Sequence, residues 1–269
     1  MDLGIKGRRA LVAGSSSGIG AAIAERLGAE GVDVLVHGRS ADSASAVRDK
    51  IVAAGGTASI LLAELNDPAK VEKLARDALA TGPIDILINC AGASSTNYHW
   101  FDGPPGAWEE QFQTSTFYAV QLIRAIVPQM KTRGWGRVLN VSAGAAYRAA
   151  AHHPEYAAAK LALHSVTATL SAELGNSGVT VNTLVPGAVA TKNTLESIER
   201  SAVRAGFTET GAAREARVIR EVWQAHIPLA RTGRAEELSG AACFLVSELA
   251  SYITNSSLKV DGGATGNTN

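Results

Sequence analysis

"AGSSSGIG", residues 13–20, decides the fold. It follows the apolar run "RRALVA" (8–13) and opens an amphipathic stretch from about Gly18 to Glu30. In the order strand, glycine-rich turn, helix, a chain points backbone N–H groups and a helix N-terminus at an anion. Gly14 permits the tight turn, and Gly18 and Gly20 allow close approach of a pyrophosphate, with Ser16, Ser17 and Ile19 completing the loop. The glycines alone also fit a simple tight turn; the flanking strand and helix favour a dinucleotide site.

Working outward, the same rhythm repeats. Apolar runs "VDVLVHG" (32–38), "ASILLAEL" (58–65), "IDILINCAG" (84–92), "GRVLNVS" (136–142) and "VTVNTLVPG" (179–187) read as buried strands. Helical stretches at about 41–54, 68–81, 106–132 and 154–175 separate them, and a helix at 235–248 with a short strand at "LKVDGG" (258–263) closes the chain. Strands of this kind alternating with helices predict an α/β fold, a Rossmann-type doubly wound parallel sheet with helices on both faces. Its 269 residues are expected to form one domain. The polar, arginine-rich, weakly periodic segment 192–231 reads as an insertion over one end of the sheet.

Lys+Arg and Asp+Glu both number 25, so nothing in the overall charge attracts nucleic acid or an anionic membrane. "MDLGIKGRRALVAG" (1–14) mixes charges into its first apolar residues and lacks a signal-peptide core, and no uncharged apolar run reaches transmembrane length. A cytoplasmic location is the expectation. Cys90 and Cys243 lie far apart without CxxC spacing and are expected as buried thiols. Adjacent His152 and His153 would point apart on regular structure, and no HxxxH or HExxH pattern exists, so no metal site is expected.

The second strand ends in "HGRS" (37–40). NAD enzymes commonly carry an acid here for the ribose 2′-hydroxyl. Arg39 and Ser40 stand instead, and a guanidinium binds a 2′-phosphate with paired hydrogen bonds, so NADP(H) is the favoured cofactor. An exposed loop arginine beside a permissive ribose site is the alternative.

"NVSAGAAYRAAAHHPEYAAAK" (140–160) ends with Tyr156 and Lys160 at i and i+4, on one helix face. A phenol beside an ammonium is a proton donor usable near neutral pH.

With these motifs assembled, the chain resembles the short-chain dehydrogenase/reductase family over nearly its whole length. AGSSSGIG is similar to that family's TGxxxGIG turn, Asn89-Cys90-Ala91-Gly92 to NNAG, Tyr156 to Lys160 to YxxxK, and Pro186-Gly187 with Thr191 to PGxxxT; "RTGRAEEL" (231–238) and "VDGG" (260–263) resemble its C-terminal signature. The resemblance implies that the turn around Gly14–Gly20 holds the pyrophosphate and that Glu64 and Leu65 flank the adenine. Asn89, Cys90, Ala91 and Gly92 would lie along the adenosine ribose, and Pro186, Gly187, Val189 and Thr191 would seat the carboxamide. Lys160 would bond the nicotinamide ribose and lower the Tyr156 pKa, and Tyr156 would exchange the proton at the substrate oxygen. The family also implies a homotetramer.

Two members of the family's tetrad are changed. Its serine lies thirteen residues before the tyrosine; Ala143 stands there and Ser142 one place early. Strand neighbours face opposite ways, so without a bulge Ser142 points away from the substrate. At the family's helix asparagine stands Ser115. Ala13 replaces the usual threonine of the turn. Ser142 and Ser115 remain candidate catalytic residues beside Tyr156 and Lys160.

Ligands on such sheets bind beyond the carboxyl ends of the strands. There "STNYHWFDG" (95–103), "GAAYRAAAHHPE" (144–155) and the insertion are expected to converge, with Tyr98, Trp100, Phe101, Tyr147 and Trp223 suited either to a ring-bearing or apolar small molecule or to core and subunit contacts. Arg148 suits an anionic substrate or an exposed loop, and His99, His152 or His153 could supply a donor in place of the serine. The leading function is an NADPH-dependent reductase of a ketone; a dehydratase or isomerase on the same scaffold, or an NADP(H)-binding protein without turnover, are the alternatives.

Overall fold

A computed structural model describes residues 2–92, 98–148 and 152–266. Seven parallel strands form one sheet in the order β3-β2-β1-β4-β5-β6-β7: β1 Arg9–Ala13, β2 Asp33–Gly38, β3 Thr57–Leu62, β4 Ile86–Asn89, β5 Gly136–Val141, β6 Val179–Pro186 and β7 Ser257–Val260. The order turns back between β1 and β4, which places a ligand crevice at their carboxyl ends. Strands β4, β5 and β6 are buried along their whole length, the pattern of strands covered on both faces, whereas edge strand β3 alternates with exposed positions.

Helices α1 Gly18–Ala29, α2 Ala41–Ala53 and α9 Ala235–Leu245 cover one face, where Val12, Val34, Ile86 and Leu139 meet Ile23, Leu27 and Leu238. Helices α3 Pro68–Ala80, α5 Tyr118–Arg133 and α6 Pro154–Leu174 contribute to the core of the other, where Leu11, Leu87, Val138 and Val181 meet Leu74, Leu122 and Leu163. Local chemistry sets the ends. Pro68 opens α3 and Asp67 Oδ1 accepts from the Ala69 N–H at 2.9 Å. Helix α5 stops at Gly134, whose φ of 71° is a left-handed cap.

The single long helix expected at 106–132 is two helices, α4 Ala107–Phe112 and α5, joined by a π turn at Gln113–Phe117. The extra residue in that turn buries Ser115 and Thr116, and Thr116 Oγ1 donates to the Ala159 carbonyl at 2.7 Å, fastening the turn to α6. The segment expected as a weakly periodic insertion holds α7 Lys192–Arg204, α8 Gly211–Arg217 and a second π turn at Val218–Val222. Ile198 and Ala202 of α7 pack on Val218, with Phe207 and Trp223 alongside, a small satellite core. Among the described residues no helix is long and apolar enough to cross a membrane.

Candidate active site

The β1–α1 turn is a cradle built by glycine. Gly14 has φ 80°, and a Cβ there would lie 2.8 Å from the Ala91 backbone; a Cβ on Gly20 would lie 2.2 Å from the Gly14 carbonyl oxygen. Ser17 caps α1 in extended geometry without a side-chain bond to the helix, so its hydroxyl satisfies none of the first-turn N–H groups. A turn pressed this closely against β4, with a helix N-terminus behind it, fits a pyrophosphate.

His37 braces the turn from β2. Its Nδ1 accepts from the Gly14 N–H at 3.0 Å, which leaves the Nε2–H to donate to the Ala63 carbonyl at 3.2 Å. Ser15 Oγ completes the brace, donating to the Val12 carbonyl at 2.7 Å and accepting from the His37 N–H at 2.9 Å. Burial pushes the His37 pKa from 6.5 down to about 4, against a smaller opposing effect of the Ala63 bond. The ring is therefore neutral when folded and charged in the unfolded chain below about pH 6.5. Between these values the unfolded chain binds more protons, so this contribution is complete above pH 6.5 and is lost as pH falls towards 4. The stability gap between the native chain and His37→Gln is expected to shrink by up to about 3 kcal/mol over that window. Urea unfolding of both proteins at pH 7 and pH 4.5 measures it; parallel pH dependence in the two would refute it.

Beyond His37, a Cβ on Gly38 would lie 2.6 Å from Ser16 Cβ, so the end of β2 rests on the turn. Arg39 and Ser40 follow, exposed at its rim. Glu64, also exposed, pairs with Lys70, and the positive charge of Arg39 helps hold its carboxyl below the usual range after the larger effect of Lys70. Leu65 is buried, and its carbonyl accepts from Gln113 Nε2 at 3.0 Å.

At the end of β4, Asn89 is fully buried: its Nδ2 donates to Asn140 Oδ1 at 2.9 Å, and its own Oδ1 has no partner among the described residues. Burial pushes the Cys90 thiol up to about 11. Ala91 is held from two sides. Its N–H donates to Tyr118 Oη at 3.0 Å, and its carbonyl accepts from Lys160 Nζ, also at 3.0 Å. Gly92 leaves the space that Ser115 fills, since a Cβ there would lie 2.5 Å from Ser115 Oγ. That hydroxyl accepts from Gln111 Nε2 at 2.6 Å and is buried.

On α6, Lys160 is buried and its Nζ also donates to the Val141 carbonyl, at 2.9 Å. Burial lowers its pKa to about 8. Nζ lies 6.0 Å from the Tyr156 ring centroid. The family resemblance implies that Lys160 lowers the phenol pKa; here burial pushes Tyr156 up to about 12, with the neighbouring Cys90 adding in the same direction. Desolvation of the buried phenol is the larger of the two effects.

Ser142 Oγ donates to the Lys160 carbonyl at 2.8 Å and therefore accepts from His164 Nε2 at 2.9 Å. It is buried under α6, whereas Ala143, the next residue, lines the cleft with Tyr156. Pro186 and Gly187 line the same cleft. Val189 is buried and bridges Gly233, and Thr191 caps α7, within reach of the phosphate turn: a Cβ on Gly18 would lie 3.4 Å from Thr191 Cγ2.

This cleft has a volume of about 980 Å³ and opens between the ends of β5 and β6 and helix α7. All three loops expected at the substrate end contribute to it, although residues 95–97 and 149–151 of those loops lie outside the described residues. Of the five aromatic residues expected there, Trp223 is a wall. Trp100 packs tilted against Trp108, with ring centroids 5.4 Å apart, Phe101 is exposed, Tyr147 packs edge-on against His164, and Tyr98 lines a separate small pocket with Pro104 and Gln111. His152 and His153 do not point apart: His153 has φ 58°, which departs from regular structure and brings their rings to 4.9 Å. No group of three His, Cys, Asp or Glu side chains among the described residues is placed to hold a metal ion. Sequence reasoning missed His37 and Tyr118; a polar residue inside the apolar run "VDVLVHG" was the available signal for the first.

Fold and site together define a Rossmann-type nucleotide-binding α/β protein with a tyrosine–lysine pair at its crevice. The chain belongs to the short-chain dehydrogenase family, whose model, short chain dehydrogenase, matches residues 8–202; a second, Enoyl-(Acyl carrier protein) reductase, matches 195–265. It is 31% identical over 261 residues to a D-beta-hydroxybutyrate dehydrogenase of Rhizobium meliloti (strain 1021), covering 96% of this chain and 98% of that one. Identity to a 3-oxoacyl-[acyl-carrier-protein] reductase of Salmonella typhimurium (strain LT2) is 31% over 262 residues, 97% and 98% of the two chains. The crystal structure of L-sorbose reductase from Gluconobacter frateurii, complexed with NADPH and L-sorbose, superposes with a TM-score of 0.90 at 28% identity and full coverage of both chains.

Proposed function

We propose that the chain is an NADPH-dependent oxidoreductase that reduces a ketone to a secondary alcohol, reversibly. The observation that carries this reading is Tyr156 on the wall of the cleft, one helical turn from a lysine fixed beside the cofactor crevice. When bound, NADPH supplies the two-electron reducing equivalent. The glycine turn and α1 N-terminus would hold its pyrophosphate, and Pro186, Gly187, Val189 and Thr191 its carboxamide end. Tyr156 gives its phenolic proton to the substrate oxygen; a phenol raised to about 12 stays protonated at neutral pH, the form a reduction needs. Lys160 has three donors and uses two on Ala91 and Val141, leaving one for a ribose hydroxyl. Ser142 and Ser115 act as positioning residues, each tied to protein partners. NADPH absorbance with a panel of cyclic and aromatic ketones tests the reading. Product without net oxidation would move it to a dehydratase or isomerase, and NADPH binding without product to a non-enzymatic protein.

The NADP(H) preference rests on Arg39, supported by its exposed place at the end of β2 and by the NADPH bound to the sorbose reductase. Arg39→Ala is expected to weaken NADPH by about tenfold or more, one charge-assisted hydrogen bond or two, and NADH little. Equal weakening in paired titrations would remove the assignment. A homotetramer is supported by the exposed Trp108 on α4, Phe117 in the π turn and Leu161 on α6, with the exposed Trp100 packed on Trp108, and a monomer in light scattering at micromolar concentration would contradict it.

A further inference from the structure

The cleft is cationic although the chain is neutral. The charged residues among its described lining are Arg148, Arg200 and Arg204, with neither Asp nor Glu; His99, His152 and His153 also line it. Lys+Arg and Asp+Glu balance at 25 each over the whole sequence, so this concentration of one sign is local. A low-dielectric cleft lined by one sign focuses its field on an incoming ligand of the other.

Helix α7 supplies two of its three arginines. Ser197, Arg200, Ser201 and Arg204 are spaced i, i+3, i+4, i+7 and line the cleft, while Ile198 and Ala202 turn into the satellite core. Arg200 and Arg204 are thus stacked one turn apart, a like-charge placement that disfavours the helix by itself. Glu196 is 3.7 Å from Arg200 with both side chains largely exposed, and neither Arg148 nor Arg204 forms an ion pair with another described residue. Arg148 lines the same cleft from the loop after β5, close in sequence to Tyr156 and Ala143. The apolar wall between is Val222, Trp223 and Ile227.

We propose that the substrate is an anion: a ketone whose carboxylate or phosphate seats on Arg148, Arg200 and Arg204, whose apolar body lies on Trp223 and Ile227, and whose carbonyl oxygen meets Tyr156. Guanidinium groups suit either oxyanion because their paired N–H donors match its geometry. This rests on the ketone-reductase reading for the carbonyl but not for the anion site, and the test separates the two.

Calorimetric titration of the protein–NADP+ complex with 4-acetylbenzoate, its methyl ester and 4-acetylphenyl phosphate reads the anion site without turnover. A charged probe is expected to bind at least tenfold more tightly than the ester, with the advantage falling as salt rises; the tighter of the two charged probes identifies the anion. In Arg200→Gln/Arg204→Gln, with the melting temperature checked, the advantage should drop to threefold or less. In turnover the preference should appear chiefly in KM. An ester that binds as well as both anions, or an advantage that persists in the double variant, overturns the proposal. Selective anion binding with no NADPH oxidation on any ketone would leave the anion site standing and sink the reductase reading instead.

Discussion

Tyr156→Phe is expected to remove nearly all NADPH-dependent ketone reduction, a loss on the order of 10³-fold in kcat, while NADPH affinity stays within a few-fold. A positioned general acid contributes about 10²–10⁴-fold, and with Ala143 in the neighbouring place there is no serine hydroxyl there to share the work. Phenylalanine keeps the ring that lies 6.0 Å from Lys160 Nζ and removes the phenolic proton alone. Steady-state rates beside an NADPH titration of the same preparation decide it. Retention of a tenth of the native kcat would mean that another group, His152 or His153 being nearest in sequence, donates the proton.

The parts of the fold that periodicity encodes were readable before any coordinates. β1, β2, β5, β6 and helices α1, α2, α3 and α6 fall within a residue or two of their expected places, because strands buried on both faces are nearly continuous apolar runs and because Pro68 and Pro154 mark helix starts; β3 and β4 each stop three residues short of the apolar runs that announced them. The π turn at 113–117 was not readable: it adds one residue to a turn without altering which residues are apolar, and only its tertiary fastening, Thr116 to Ala159, shows why it is there. The same limit explains α7, whose buried face is little more than Ile198 and Ala202, too short an apolar signal against its many charges. In the cleft, residue types were legible, but direction was legible only on the strand and not in the loops. Strand alternation placed Ser142 away from the substrate side, and its bonds to Lys160 and His164 lie on that side of β5. Whether Trp100 and Tyr147 faced ligand or neighbour depended on loops with no repeat to read, and the left-handed His153 bringing two imidazoles together follows no pattern in "AHHPE".

Ala143→Ser is expected to raise kcat for a ketone by about 10²-fold, the scale on which a transition-state hydrogen-bond donor acts. Ala143 has extended backbone, φ −156° and ψ 155°, and the side chain before it is committed beneath α6, so its own Cβ is the one on the cleft wall that Tyr156 shares. A hydroxyl there would face the substrate oxygen beside the phenol and stabilise the negative charge that grows on it, without contact to the buried network. Ser142→Ala should act in the opposite domain of effects. It removes the donor to the Lys160 carbonyl and the acceptor of His164, which costs about 1–2 kcal/mol of stability and lowers kcat by less than about fivefold. Melting temperatures and steady-state kinetics of the two single variants separate these roles. A 10²-fold loss of kcat in Ser142→Ala at unchanged NADPH affinity, with no gain in Ala143→Ser, would make Ser142 the catalytic hydroxyl. It would then have to leave Lys160 and His164 to reach the substrate, giving up two hydrogen bonds for one. That exchange is unfavourable unless the bond gained is to a developing oxyanion, so the direction of the kcat change in Ala143→Ser discriminates more sharply than the loss in Ser142→Ala.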